Sequence, residues 1–426
     1  MTVLCRALLV TVSLMMVVAC EQATPVVENT QQYRDIEARL GTVFTAVEDK
    51  HFKPPQLYPL SLKLDPLGAA LWGATGRDDR GNIYFGLSSY ANIGNTAQIY
   101  QFNPSTGTLI EQSDVISQLK QANLYKTGMS QIKIHSKIYQ ANDGYLYFSS
   151  FDELGESASR GVLPTYGGHL WRKKPDSLEW EHLLATNEAL IAVNTDGRFV
   201  YAMGYWGHVL YQFNTLNQRM NRVTVSKHKS HVSRNFIVTS HGDVFVPRIS
   251  GSNNETIDLV QYNSELKEVA SHAMNEYLHP SWEFDHGIVS YSSMKNGDVY
   301  FATSIGAIYK LAKQANQQYQ LTLQQTIADK DNVGAYLPSM FTINGEDFIV
   351  GMGYHRIAKQ YFWYLYETTT NTVLTYELPE MDKSTLVYGS STKDNLGNMY
   401  MVGVDLSVSD KHKPTIIQLH YPHHTK

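Results

Sequence analysis

Along most of the chain, short runs in which aromatic or aliphatic residues alternate with polar ones follow one another, each introduced by a polar turn containing glycine. Alternation with period two puts one set of side chains on each face of an extended segment, so the pattern reads as strands. The turn-plus-strand phrase recurs as DDRGNIYFG around Gly81, ANDGYLYFS around Gly144, NTDGRFVYA around Gly197 and TSHGDVFVP around Gly242. It returns as MKNGDVYFA around Gly297, TINGEDFIV around Gly345 and DNLGNMYMV around Gly397. Successive glycines are 63, 53, 45, 55, 48 and 52 residues apart, which makes seven units. Glycine tolerates positive φ, and Asp or Asn does so better than most residues, so each phrase is a tight hairpin. A second strand follows in every unit (AQIYQFN, GHLWRK, HVLYQFN, DLVQYN, GAIYKL, FWYLYE, TIIQLHY), and in most a third, such as WEHLL or RVTV. A solenoid would need a shorter and more regular repeat. The pattern predicts an all-β chain, a seven-bladed β-propeller of four-stranded antiparallel blades.

The last unit runs out at Tyr421-Pro422 one strand short, which leaves an open sheet edge. Residues 41–65 are predicted to fill it as the outer strand of the seventh blade, with Thr42-Val-Phe-Thr-Ala-Val47 as the pairing stretch. The competing reading is a short surface helix over 33–50, because Tyr33-Arg-Asp-Ile-Glu-Ala-Arg-Leu40 also fits helical spacing. Upstream, Arg6 precedes an apolar run over residues 7–19 that is short for a membrane span and has the layout of a secretory signal. Val17-Val18-Ala19-Cys20 then looks like a lipobox, with an ordinary signal cut nearby as the alternative. On this reading residues 1–19 are a lipoprotein signal, Cys20 carries the lipid, 20–32 are a polar flexible tether, and 33–426 form one propeller closed by an N-terminal strand. Glu21 follows Cys20 where an aspartate would favour retention at the inner membrane. An outer-membrane or cell-surface location is therefore expected, with membrane contact only through the anchor.

Cys5 and Cys20 are the two cysteines, and signal cleavage with lipidation would leave no free thiol. Disulfides, cysteine nucleophiles and thiolate metal sites are thereby excluded. The formal net charge is −5 and no basic arm is present, so nucleic acid is not an expected partner. Tyrosine outnumbers phenylalanine, 28 to 15, which suits strands and carbohydrate-binding surfaces alike. Any chemistry must come from His, Tyr, Arg, Lys or carboxylates.

A propeller is a platform, so function is read from side chains at the mouth of its channel. In QIKIHSKIY, ahead of Gly144, alternation places Lys133, His135 and Lys137 on one face of the second blade's innermost strand and Ile132, Ile134 and Ile138 on the other. The lysine flanks put His135 near the mouth; an ordinary hydrogen-bonded histidine is the competing reading. His169, in Tyr166-Gly-Gly-His-Leu-Trp171, begins the third strand of the same blade. The loop before it, over 151–168, is the longest within any blade and carries Asp152, Glu153, Glu156 and Arg160. Tyr205-Trp-Gly-His208 repeats the phrase one blade on, so His208 reads as the equivalent position and part of the pattern as architecture. Arg234, in His231-Val-Ser-Arg-Asn-Phe236, opens the fourth blade, where a salt bridge is the ordinary alternative. His279, His286 and His355 are conceivable metal ligands from neighbouring blades, but no local motif such as His-Glu-x-x-His supports them. No cofactor is required on this reading, and a structural metal ion lacks a motif. His423 and His424 lie in a terminal tail.

Lys-Ile-His ahead of Asp-Gly and an aromatic strand, then Gly-Gly-His-Leu-Trp, then Ser-Arg-Asn-Phe resemble the propeller-fold polysaccharide lyases, most closely the ulvan lyases; the specific phrases span about residues 132–236. The resemblance implies β-elimination at a uronic acid, in which a base removes the C5 proton, the carboxylate charge is neutralised and an acid protonates the departing O4. By resemblance His135 and His169 fall to proton transfer and carboxylate contact, Arg234 to neutralisation and Tyr205 to the catalytic tyrosine, with Tyr166, Tyr211 and Tyr277 as rivals. Lys133, Arg160, Tyr166 and Tyr277 are the expected contacts to an acidic, ulvan-like polysaccharide. The long insertion before His169 departs from the simplest family spacing and leaves the alignment over 149–168 open. Two other classes stand beside this one: a non-catalytic glycan-binding lipoprotein using the same tyrosine-rich mouth, and an envelope-assembly scaffold using blade edges. A monomer is expected.

Overall fold

The repeat glycine closes the turn between the two inner strands of a blade. In the computed structural model Gly81, Gly144, Gly197, Gly242, Gly297 and Gly397 have φ between 80 and 93°, a region that side chains with a Cβ rarely enter. The turn is locked from its polar end. Asp78 accepts from the Asn82 amide and the Tyr84 hydroxyl, and Asp394 repeats this with Asn398 and Tyr400. The structure describes residues 54–65, 68–90, 94–157, 162–226, 233–250, 256–277, 287–328, 334–343, 347–388, 390, 392–407 and 412–420. The signal segment, Cys20, the 33–50 stretch, Arg160, His279, His286, His423 and His424 lie outside these residues.

Seven antiparallel blades follow one another along the chain. The second consists of Tyr139–Gln140, Leu146–Phe151, Gly168–Lys173 and Trp180–Thr186, from the centre outwards. The third is Leu190–Thr195, Phe199–Gly204, Val209–Asn214 and Met220–Thr224, and the fourth Ile237–Val238, Val244–Ser250, Thr256–Tyr262 and Glu268–Ala273. The seventh is completed from the N-terminal side: Gln56–Pro59 pairs antiparallel with Lys413–His420, Gln56 opposite His420 and Pro59 opposite Ile417. That strand takes the open edge, while Thr42 to Val47, the stretch named for it from sequence, lies outside the described residues. Leu57 anchors it against the apolar cluster of Met399, Met401 and Leu419.

Each sheet is sandwiched between two others, so its middle strands bury both faces. Leu146–Phe151 and Phe199–Gly204 are buried throughout, whereas outer strands such as Thr372–Glu377 alternate between exposed and half-buried. Tyr147 and Leu170 of the second blade pack with Val200, Ala202 and Phe213 of the third, one of several such inter-blade cores. Among the described residues one short helix, Val115–Gln121, links the first two blades; Asp114 caps it by accepting from the Ser117 amide.

The innermost strand of the second blade is not continuous as alternation predicted. Lys133 lies opposite Phe151 and Tyr139 opposite Tyr147, so six steps on the inner side face four on its neighbour. The surplus is a bulge at His135 and Ser136, where the Ser136 hydroxyl accepts the Ser149 amide in place of a ladder carbonyl. His135, Ser136 and Lys137 are all buried, and the Lys137 ammonium donates to the Gly73 carbonyl of the first blade at 2.5 Å. Of the three residues that alternation places on one face, His135 and Lys137 are buried.

Candidate functional site

His135, at the bulge, meets a partner far away in sequence. Arg234 sits on a bend just before the fourth blade's inner strand, and that bend is tied to the fifth blade on both sides of the arginine. The Ile288 amide donates to the Ser233 hydroxyl at 3.1 Å, and the Asn235 side chain donates to the Ile288 carbonyl at 3.0 Å. Tyr205 comes from the turn between the second and third strands of the third blade, where its amide bonds to the Ala189 carbonyl at 2.7 Å. These three elements bring their side chains together. Nη1 of Arg234 lies 3.3 Å from Nε2 of His135, and Nη2 donates to the Tyr205 hydroxyl at 3.3 Å.

A guanidinium cannot accept a hydrogen bond, so Nε2 of His135 is the unprotonated nitrogen in this arrangement. Burial holds the imidazole well below its ordinary pKa, and Arg234, Lys133 and Lys137 push it the same way. The ring is thus a neutral acceptor beside cations. Lys133 reaches Glu153 of the long loop at 2.5 Å and lies 4.7 Å from the Trp72 ring. Glu156, on the same loop, has its carboxyl raised chiefly by burial and next by Glu153, with Lys133 and Arg234 opposing. Glu153 and Glu156 thus share the electric field of the cationic rim, a role that sequence reasoning did not assign. Its one signal was the length of the loop that carries them.

His169 keeps other company. Its Nδ1 is 2.9 Å from Nε2 of His182, and both rings pack on Trp171, at 5.8 and 5.0 Å. Burial, then His182, then Lys126 lower it to about 3. The pairing explains the separation from His135. His169 lies opposite Ser150, while the His135 ring neighbours Phe151, and adjacent residues of a strand point to opposite faces. None of the contacts described for His169 joins it to the His135–Arg234 group. The two histidines expected to share one uronate thus lie in different surroundings.

The remaining candidates divide similarly. Tyr277 is fully buried between the fourth and fifth blades, where its hydroxyl would sit 1.9 Å from a Cβ placed on Gly287. The Tyr166 ring packs against the core between the first two blades, and its amide bonds to Asp152. Tyr211 donates to Glu188 at 3.2 Å. His208 is not the counterpart of His169. Lys173 and Asn214 each pair with the first residue of the neighbouring strand, and counting back from them matches His169 with Leu210 and His208 with Gly167. Both Gly167 and His208 have positive φ, 63 and 54°. His355 stacks on Phe362 at 4.3 Å. Among the described residues no group of three or more His, Cys, Asp or Glu is arranged to hold a metal ion.

No protein-family model matches the sequence, and no curated protein does. The fold is shared with solved propellers. U3-55K matches at 8% identity over 87% of this chain and 100% of its own, with a TM-score of 0.53. YCF48 bound to D1 peptide matches at 9% identity over 88% and 98%, with a TM-score of 0.49, and Sqt1 of Saccharomyces cerevisiae at 11% over 83% and 86%, with a TM-score of 0.48. At such identities the likeness is one of fold.

Proposed function

We propose that this chain is a polysaccharide lyase that cleaves a uronic-acid-containing, ulvan-like polysaccharide by β-elimination at the His135–Tyr205–Arg234 group. The observation that carries the reading is the guanidinium of Arg234 set between an imidazole nitrogen and a phenol oxygen, 3.3 Å from each. The C5 proton of a uronate becomes acidic only when charge developing on the adjacent carboxylate is neutralised, and a planar guanidinium fork suits that task. A docked carboxylate replaces His135 and Tyr205 as the acceptor of Arg234, which frees both for the sugar. His135, neutral through burial and its cationic neighbours, takes the C5 proton at Nε2. The C5–H electron pair becomes the C4–C5 double bond as the C4–O4 bond breaks, and the Tyr205 hydroxyl supplies the proton to O4. Transfer from imidazolium to phenolate then resets the site.

The test is incubation with a panel of uronic-acid polymers, ulvan included, following the ultraviolet absorbance of the unsaturated uronate product. A rise that His135→Ala abolishes supports the lyase; a flat trace with retained binding favours a glycan-binding lipoprotein instead. As part of the same reading, Cys20 anchors the protein to the outer membrane, and Cys20→Ala should release it or stop its processing. An unchanged membrane fraction would remove the anchor.

A further inference from the structure

Glu188 lies on the short link between the second and third blades, with its side chain buried. One carboxylate oxygen accepts from the Tyr211 hydroxyl at 3.2 Å. The group fills a cradle left by two glycines. A Cβ on Gly204 would lie 2.1 Å from the Glu188 Cδ, one on Gly207 would lie 2.2 Å from Oε2, and at both positions the three nearest atoms all belong to Glu188. Between and after these glycines the turn Tyr205-Trp-Gly-His208 holds Trp206 at φ 70° and His208 at φ 54°, a backbone that persists only when its surroundings over-determine it. The first residue of that turn, Tyr205, presents its hydroxyl to Arg234.

We propose that Glu188 is a positioning residue: its carboxyl, seated against Gly204 and Gly207, fixes the strained turn and thereby places the Tyr205 hydroxyl beside Arg234 and His135. The effect on turnover rests on the lyase reading, but the placement of the turn does not. Burial pushes the Glu188 carboxyl up to about 7, with Tyr211 and the Gly207 backbone opposing. Such a group contributes shape and a hydrogen bond more than charge, so glutamine should replace it.

The experiment compares Glu188→Ala, Glu188→Gln, Gly204→Ala and the double variant Glu188→Ala/Gly204→Ala. Each is read by the fluorine resonance of Trp206 in fluorotryptophan-labelled protein, assigned with Trp206→Phe, and by kcat/KM on a uronate polymer. Glu188→Ala and Gly204→Ala should each shift or broaden the resonance and lower kcat/KM roughly tenfold to a hundredfold, the scale of a small misplacement near the chemistry. Glu188→Gln should keep the native resonance and stay within about threefold of the parent. The double variant, whose new methyl enters the vacated cradle, should recover towards the native resonance. An unchanged Trp206 resonance and turnover in Glu188→Ala, or a double variant as disturbed as both single changes combined, would overturn the inference. Should Glu188→Ala fail to fold, Glu188→Gln and the double variant decide. If the parent turns over no uronate polymer, the lyase reading fails, while the resonance still decides the role of Glu188.

Discussion

His135 and His169 belong to one blade and both are nearly fully buried, yet their neighbours differ in kind. His135 sits in a bulge, faces a guanidinium, and has two lysines in its field. His169 sits in a regular ladder, bonds to another imidazole, and is walled by tryptophan. Both imidazoles are held neutral, but for different ends. In the first case the unprotonated nitrogen accepts from a guanidinium, with two lysines nearby. In the second, one nitrogen of a buried ring is paired with His182 beside Trp171, while Nε2 has no hydrogen-bond partner among the described residues. Low proton affinity alone therefore does not tell the two histidines apart; their company does.

The largest effect that would break this contrast is on turnover. His135→Ala and Arg234→Ala should each lower kcat/KM on a uronate polymer at least about a hundredfold with the fold intact, as for a lost proton-transfer group or charge neutraliser. His169→Ala should stay within a few-fold. Equal losses in all three, measured as initial rates, would erase the distinction.

Stability should sort the other way. His169→Ala removes the imidazole hydrogen-bonded to His182 and opens space beside Trp171, so chemical denaturation should show a loss of about 2–3 kcal/mol. A loss below that of His135→Ala would contradict the structural role.

Arg234→Lys sharpens the first half of the comparison, because it keeps the charge and loses the fork that spans His135 and Tyr205. A loss of about tenfold, equal to about 1.4 kcal/mol, is expected. Full activity would mean that charge alone suffices.

A further test lies in pH dependence. His169 is lowered to about 3 in the folded chain, against about 6.5 when unfolded. Between those values the unfolded chain takes up a proton that the folded one refuses. Its contribution is therefore intact above about pH 6.5 and is lost on acidification, at about 1.4 kcal/mol per pH unit. His169→Phe should flatten the stability profile from pH 6.5 to 5 by about that slope. Because His135 is also held well below its ordinary value, kcat/KM should show no acid limb near 6.5 from this residue. A limb that His135→Ala alone removes would show that the imidazole titrates normally.

The repeat was legible because its turns and strands are local. A glycine at positive φ in a polar turn and a run of alternating residues need only neighbours in sequence, and the seven units follow from them. The missing outer strand was legible as a deficit of one strand at the C-terminus, since an unpaired edge must be covered. That Gln56–Pro59 covers it was not singled out, because this segment has little period of its own and is defined by the edge it meets. Likewise His135, Tyr205 and Arg234 were each visible as polar residues at strand starts, yet their grouping and the exclusion of His169 were not resolved.

What the sequence determined by itself is thus the number of blades, the hairpin at each repeat glycine and the shortfall that the N-terminal side makes good. Only the tertiary structure decided which side chains meet. His135 and Arg234 are 99 residues apart and touch because the ring curves the second and fourth blades around one channel. A two-residue surplus in one inner strand interrupts its pairing at His135, and the pleat puts the partners of His135 and His169 on opposite sides of one strand. Side-chain period is a property of the backbone and can be read one residue at a time. Convergence depends on register, bulges and ring closure, which emerge only when all the blades are packed together.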